Sequence, residues 1–352
     1  MQKNDNLYFT ANCVTKLFGT LPGGRAVNSY TLTNGNGMEV SFINYGATIT
    51  SIKVPSVNGP VDVALGFDTL EDYIHSFGLP SGPYFGSVIG RYAGRIDGAE
   101  FMLNGVEYKL AANNNGNTLH GGKMGFGRAY WKMNQLQGGE NPSITFAYTS
   151  PDGEENFPGE LTVEVTYRVT EDNRLEISYK AYTTADTVLN LTQHTYFNLA
   201  GHTQSIAGQQ LYVNAESVLE LRQDGVPTGE FTSLNDSEID YRQPKAAPLS
   251  IDNSFVVNND GAPAAKLYSP ETGIEMTVFT DQPSVHIYVG GNCFGQLKGK
   301  DGAAYHTTSG MAFEAQNYPD APNKRNFPSS VLKRGEVYRH NTAYVFENKE
   351  AE

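Results

Sequence analysis

The sequence predicts an all-β protein built from antiparallel sheets, and three observations carry that prediction. Turn-forming pairs recur along the whole chain: Asn34-Gly35, Asn36-Gly37, Asn58-Gly59, Asp97-Gly98, Asn104-Gly105, Asp152-Gly153, Asp224-Gly225, Asp260-Gly261 and Asp301-Gly302. Short runs between them alternate apolar and polar residues, which places one side chain in two on a buried face. Helical periodicity is scarce, so a sandwich or barrel is expected rather than a helical fold. Taken in order, DTLEDYIHSF (68–77) predicts one short helix capped by Asp68 or Thr69. FMLNGVEYKL (101–110) predicts a hairpin turning at Asn104-Gly105. LTVEVTYRV (161–169), LEISYKAYT (175–183), VHIYVG (285–290) and YRHNTAYVFE (338–347) alternate cleanly as strands.

The 352 residues are ample for a large core. PSVNGP (55–60) and QPKAAPLS (243–250) are proline-containing loops, but neither separates regions of different composition. With no internal repeat or low-complexity linker, residues 1–352 are expected to form a single domain. Charged residues make up only 18% of the chain, which suits a sheet-rich protein carrying many neutral polar groups. A net charge of -13 with no basic run argues against nucleic acid and anionic membranes as partners. Cys13 and Cys293 form no CxxC pair and no disulfide framework. The opening MQKNDNLYFTANCV has no apolar stretch of signal-peptide length, and no segment approaches a transmembrane span. A cytoplasmic location is the expectation.

LNLTQHTYFNLAG (189–201) breaks the usual strand pattern. Leu189, Leu191, Phe197 and Leu199 share one face. Asn190, Thr192, His194, Tyr196 and Asn198 share the other, with no Lys or Glu among them. Four further segments carry similar oddities. In NTLHGGKMGFGRAYW (117–131), His120 precedes two glycines, which suits either close approach of a ligand or a tight bend. In GSVIGRYAGRIDGAEF (86–101), Arg91 and Arg95 share parity with Ser87; an inward guanidinium needs a carboxylate or a ligand's hydroxyls as partner. In GMAFEAQNYPDAPN (310–323), Glu314 and Gln316 oppose Met311 and Phe313; a buried salt bridge, to Arg95 for example, would also explain the glutamate. In SIDNSFVVN (250–258), Asp252 precedes a β-rich run, though Asp-Asn-Ser is also a good turn. Seven histidines occur, without HxH or HExxH spacing, so direct acid–base chemistry is favoured over a metal. GxSxG, Walker and dinucleotide signatures are missing, which removes support for phosphate and nicotinamide chemistry.

GRYAGRI, NTLHGG, QHTYFNLAG, IDNSF and FEAQNYPDAPN, in this order, resemble the aldose 1-epimerase family, the galactose mutarotases. The tail FPSSVLKRGEVYRHNTAYVF resembles that family's closing segment, and the match runs from about residue 20 to 347. The resemblance implies a large antiparallel β-sandwich with an open concave sugar-binding cleft. It implies interconversion of the α and β anomers of a free aldohexose, galactose or glucose, with no cofactor and no metal. Glu314 would be the base, His194 the acid, and His120 a second donor near the ring oxygen. Arg95 and Asp252 would hold sugar hydroxyls. Gly94 stands where many members have Asn, and His286 where many have Gln; both positions belong to the sugar site in that family, and His286 shares its face with Tyr288. A monomer is the family default. A free Glu (pKa about 4.3) starts ionised near neutrality, whereas a free His (about 6.5) is only partly protonated. A carboxylate beside His194 that raises its pKa is therefore expected, along with a bell-shaped rate–pH profile.

Three rivals remain. A glycoside hydrolase would use Glu314 and Asp252 as a carboxyl pair. A sugar-binding protein without catalysis could dispense with Glu314 or His194, and both are present. A hexose-phosphate mutarotase should show a basic phosphate pocket, which the acidic balance does not favour.

Overall fold

A computed structural model describes residues 12–79, 82–258, 260–291 and 295–349. Most of the N-terminal stretch noted above, and Cys293, lie outside the described residues. Among these, the large sheets have nine, six and five strands, with antiparallel pairing throughout. None closes on itself, so the sandwich alternative holds over the barrel.

The nine-stranded sheet contains the predicted strands Leu161–Val169, Arg174–Thr183 and Tyr338–Asn348 as neighbours at its centre. The six-stranded sheet runs in the spatial order Tyr196–Phe197, Met311–Gln316, Ser284–Val289, Ile251–Val257, Ala215–Leu221, Pro227–Ser233. Alternation decides what each of its faces does. Val285, Ile287, Val289, Met311 and Phe313 join one buried cluster with Val278, Tyr344 and Phe346 of the larger sheet and Val40 and Phe42 of the five-stranded one. Each such fully buried side chain contributes about 1.5–3 kcal/mol. The rings of Phe197 and Tyr344 stand 4.8 Å apart, and the Tyr344 hydroxyl donates to the Phe313 carbonyl at 3.0 Å. The opposite face of the six-stranded sheet carries the cleft.

The helix spans Leu70–Ser76 with Thr69, not Asp68, as cap; its Oγ1 accepts from the Asp72 amide at 3.1 Å. The helix leads into Phe77 and Leu79 at the cleft wall. The hairpin forms between Glu100–Leu103 and Val106–Lys109, with Asn104 and Gly105 both at positive φ, as a tight two-residue turn requires. No helix among the described residues is long and apolar enough to cross a membrane.

The stretch 189–201 is not one continuous strand. It breaks into Thr192–Gln193 and Tyr196–Phe197, with Asn190 bridging Tyr92. All its residues through Leu199 are buried, on both faces. The Asn190 amide donates to the carbonyls of Ala93 and Asn317, and Thr192 donates to that of Ala315. Asn198 donates to the carbonyls of Gln204 and Ser309. Three of the five polar residues thus satisfy backbone carbonyls, those bonded by Asn190 and Asn198 in irregular chain and that bonded by Thr192 on the strand Met311–Gln316. Only His194 and Tyr196 of that row line the cleft.

Candidate active site

The cleft encloses about 490 Å³ and is lined by residues from eight separate parts of the chain. A larger depression of about 630 Å³ on the nine-stranded sheet, around Arg174, Phe279 and Asp281, gathers no such set of histidines and carboxylates. Strand pairing builds the cleft floor. Ser254 lies opposite His286, and His286 opposite Glu314, so three neighbouring strands each contribute one polar side chain in a row. Asp252 and Tyr288 face each other two residues along. Asp252 sits inside the strand Ile251–Val257, which settles the turn alternative against it.

Glu314 is 3% exposed and His194 4%. His194 Nε2 stands 3.4 Å from Glu314 Oε1. Glu314 is thus paired with a histidine and not with Arg95. The expected carboxylate beside His194 is Glu314 itself. It raises the imidazole pKa, but burial acts more strongly and the net shift is downward. Among the described residues, Glu314 Oε2, Gln316 Oε1 and His194 Nδ1 are buried without a protein hydrogen-bond partner. Buried polar atoms are ordinarily satisfied, so these mark where a hydroxyl-rich ligand would complete the set.

His120 is oriented by the neighbouring turn. The Gly94 amide donates to His120 Nδ1 at 3.3 Å, and the His120 amide donates to the Gly94 carbonyl at 3.1 Å. Burial first, then the charges of His194, Arg95 and His286, hold His120 well below the ordinary histidine range. A neutral imidazole that accepts at Nδ1 carries its hydrogen on Nε2. The Gly-Gly pair makes a tight bend, since a side chain at Gly121 would run into the Gly90 carbonyl and one at Gly122 into Glu155, and Gly122 also lines the cleft. Ligand atoms of His120, His194 and Glu314 lie within 4.8 Å of one another, as a metal trio would. The Gly94 amide argues against that use, because it occupies Nδ1 and thereby leaves Nε2 protonated.

The two arginines of the 86–101 stretch part company. Arg91 is buried, with Nε on Ser150 Oγ and its terminal nitrogens on the carbonyls of Ser150, Pro151, Pro158 and Gly159. It braces the loop carrying Glu155, which in turn accepts from the amides of Lys123 and Met124 next to the His120 bend. Arg95 lines the cleft, and among the described residues its side chain donates from Nε to Asn114 Oδ1 at 3.1 Å. Asp252 is half-exposed and receives His286 Nε2 at 2.9 Å on Oδ1. Burial would raise the Asp252 pKa, but the bond and charge of His286, with Arg95, bring it below the ordinary carboxylate range. Each cleft carboxylate therefore faces its own histidine.

Sequence reasoning missed Tyr84 and Ser254. The Tyr84 ring lies 5.0 Å from that of His120 and 5.8 Å from that of His194, so it packs against both. It comes from an irregular loop with no period to read. Ser254 shares parity with Asp252, and alternation along 251–257 would have found it.

A profile of the aldose 1-epimerase family matches residues 28–345. A galactose mutarotase from Sus scrofa is 37% identical over 94% of this chain and 97% of its own length. An aldose 1-epimerase from Escherichia coli is 30% identical over 92% and 96%. The solved aldose epimerase homologue from C. elegans superposes with a TM-score of 0.82 at 28% identity, covering 91% of this chain and 98% of that one. The histidine–carboxylate cleft on an open antiparallel sandwich and these matches converge: the chain belongs to the aldose 1-epimerase family, isomerases that interconvert the anomers of aldoses.

Proposed function

We propose that the cleft binds a free aldohexose, galactose or glucose, and that Glu314 and His194 perform the two proton transfers of its anomer interconversion. The observation that carries this reading is their contact, a buried carboxylate and imidazole 3.4 Å apart on the cleft wall. Ring opening needs a proton removed from the C1 hydroxyl and one delivered to the ring oxygen. Both oxygens sit on one carbon, so base and acid must stand side by side. Glu314 takes the hydroxyl proton while His194 protonates the ring oxygen, and the bond from C1 to that oxygen breaks to give the aldehyde. Rotation about C1–C2 presents the other carbonyl face, and closure reverses both transfers. One proton held between the two groups is all that each half of the cycle needs.

His120, with its hydrogen on Nε2, donates toward the ring oxygen and holds the sugar's orientation. Arg95 and Asp252 grip hydroxyls at the far side of the ring; among the described residues the bond from Arg95 Nε to Asn114 leaves its terminal nitrogens for the ligand. Relatives described as galactose mutarotases support galactose as substrate. The scheme uses no cofactor and no metal, and a cytoplasmic monomer is its setting.

Polarimetry on freshly dissolved α-D-galactose and α-D-glucose tests the reading. The protein should speed the decay to equilibrium rotation, and Glu314→Gln and His194→Ala should abolish that effect while the far-ultraviolet dichroism is unchanged. No acceleration on either sugar, or full activity in either variant, would sink the assignment.

A further inference from the structure

His286 stands where resembling sequences carry Gln, and its surroundings give it a task of its own. Its Nε2 lies 2.9 Å from Asp252 Oδ1, and its Nδ1 lies 2.9 Å from Ser254 Oγ. A carboxylate only accepts, so Nε2 carries a hydrogen. A serine hydroxyl both donates and accepts, so Ser254 keeps its bond whether Nδ1 is protonated or bare. The imidazole can therefore gain and lose a proton without losing either partner. The order of exposure rules out a nucleophile relay: Ser254 is 1% exposed at the buried end, while the Asp252 side chain, at 48%, is the end that meets the cleft. The chain Ser254–His286–Asp252 thus runs from the strand floor to the group that touches ligand.

Resting on the reading of Asp252 as a sugar-holding group, we propose that His286 is a positioning residue that fixes the Asp252 carboxylate for the sugar, and that sugar affinity in this protein is greatest when His286 is an imidazolium. Its hydrogen bond commits Oδ1 to the protein and leaves Oδ2 for the ligand. A charge-assisted bond is about twice as strong as its neutral counterpart, so deprotonation loosens the grip without abolishing it. The charged and titratable groups facing the ring are Asp252 from its own strand partner, Glu314 from the strand on the other side, Arg95, the rings of His120 and His194, and Tyr288 beside it. Burial alone would lower the His286 pKa. The Asp252 bond and the charges of Asp252 and Glu314 outweigh burial and the opposing Arg95, and the net direction is upward.

Two measurements test this. Nitrogen-15 titration of the histidine rings in the sugar-free protein needs no catalysis. It should place the His286 midpoint above about 6.5, the ordinary histidine value, with Asp252→Asn moving it down by about one pH unit or more; a midpoint indifferent to Asp252→Asn overturns the proposal. In polarimetric kinetics, KM should rise about 5- to 10-fold as pH passes that midpoint, the loss of charge assistance to one bond. His286→Gln should retain affinity near the wild-type value at high pH yet lack that rise, because glutamine still donates but does not titrate. His286→Ala should raise KM by about 10-fold with kcat altered less than threefold. A KM rise that persists in His286→Gln, or a loss confined to kcat in His286→Ala, refutes the positioning role. If the wild-type protein accelerates no mutarotation, the catalytic assignment falls, and the ring titration still decides whether His286 answers to Asp252.

Discussion

Gly94→Ala tests whether backbone geometry at one residue supports the catalytic face. Gly94 has φ +77, a region that costs an L-residue about 1–2 kcal/mol. A Cβ there would sit 2.7 Å from Pro319 Cγ and 2.8 Å from Pro319 Cβ, in a wall of the cleft that is already packed. Overpacking of that kind costs about 1–3 kcal/mol, so alanine should destabilise by roughly 2–5 kcal/mol. Unfolding entropy of about 2.1 cal/mol/K per residue over this length converts that to a fall in Tm of about 3–7 °C, read by scanning calorimetry. The Gly94 amide also aims His120 through its bond to Nδ1, so kcat/KM should fall about 10-fold as that geometry shifts. Asparagine, common at this position in resembling sequences, tolerates the left-handed region. Gly94→Asn should therefore keep the Pro319 clash but lose most of the backbone strain, about 1–2 kcal/mol less costly than alanine. Pairing Gly94→Ala with Pro319→Ala should recover the packing part alone. An unchanged Tm with wild-type kcat/KM in Gly94→Ala would refute both the strain and the orienting argument.

Glu314→Gln should reduce kcat by about 10²–10⁴-fold, the range for a removed acid–base group, with Tm within a degree or two. In the same variant the His194 ring, already titrating below about 6.5, should titrate lower still, because the carboxylate that raises it is gone; nitrogen-15 titration reads this directly. Arg91→Met should destabilise by about 3–5 kcal/mol, since five acceptors, four of them buried, lose their shared donor, and calorimetry should show it. His340 is buried, held by Thr342 Oγ1 at 2.9 Å, and burial brings its pKa down to about 4. Its folded pKa is depressed, so the unfolded chain binds the proton first as pH falls. The stability tied to keeping it neutral is full above about pH 6.5 and is lost on descending toward pH 4, by about 3 kcal/mol in all. Between pH 7 and pH 4, urea-derived stability should therefore fall by up to about 3 kcal/mol more in wild type than in His340→Phe.

Alternation made part of the site legible and left the rest hidden, for a physical reason. Glu314, Gln316, His286 and Tyr288 stand on regular strands, where parity alone separates the cleft side from Phe313 and Ile287 on the core side. His194 stood out through the same parity, but parity does not separate it from its row-mates Asn190, Thr192 and Asn198, which do not line the cleft. Asn190 and Asn198 bond to carbonyls of distant loops and Thr192 to one on the strand Met311–Gln316, and a sequence does not show which carbonyls a broken ladder leaves unpaired. Arg91 and Arg95 illustrate the same limit. Four residues apart in one motif, one binds backbone carbonyls in the interior and the other lines the cleft, because the chain between them bends at Gly94. Tyr84 touches both catalytic-face histidines from a loop, where no period points to it.

Two histidine–carboxylate pairs now stand on the same cleft with opposite proton affinities, and the contrast follows from geometry. His194 meets Glu314 at 3.4 Å, a contact too long to offset its burial, so its pKa falls. His286 meets Asp252 at a full hydrogen bond of 2.9 Å and feels the charge of Glu314 as well, so its pKa rises despite its burial. A group that must pass a proton back and forth benefits from holding it weakly, and a group that must hold a partner in place benefits from holding it firmly. On the roles proposed above, the cleft separates transfer from grip using one residue type on neighbouring elements. This separation also restricts exchange of the two: moving a tight carboxylate beside His194 would raise its pKa and slow proton delivery, while lengthening the Asp252 contact would release the imidazolium and the sugar with it.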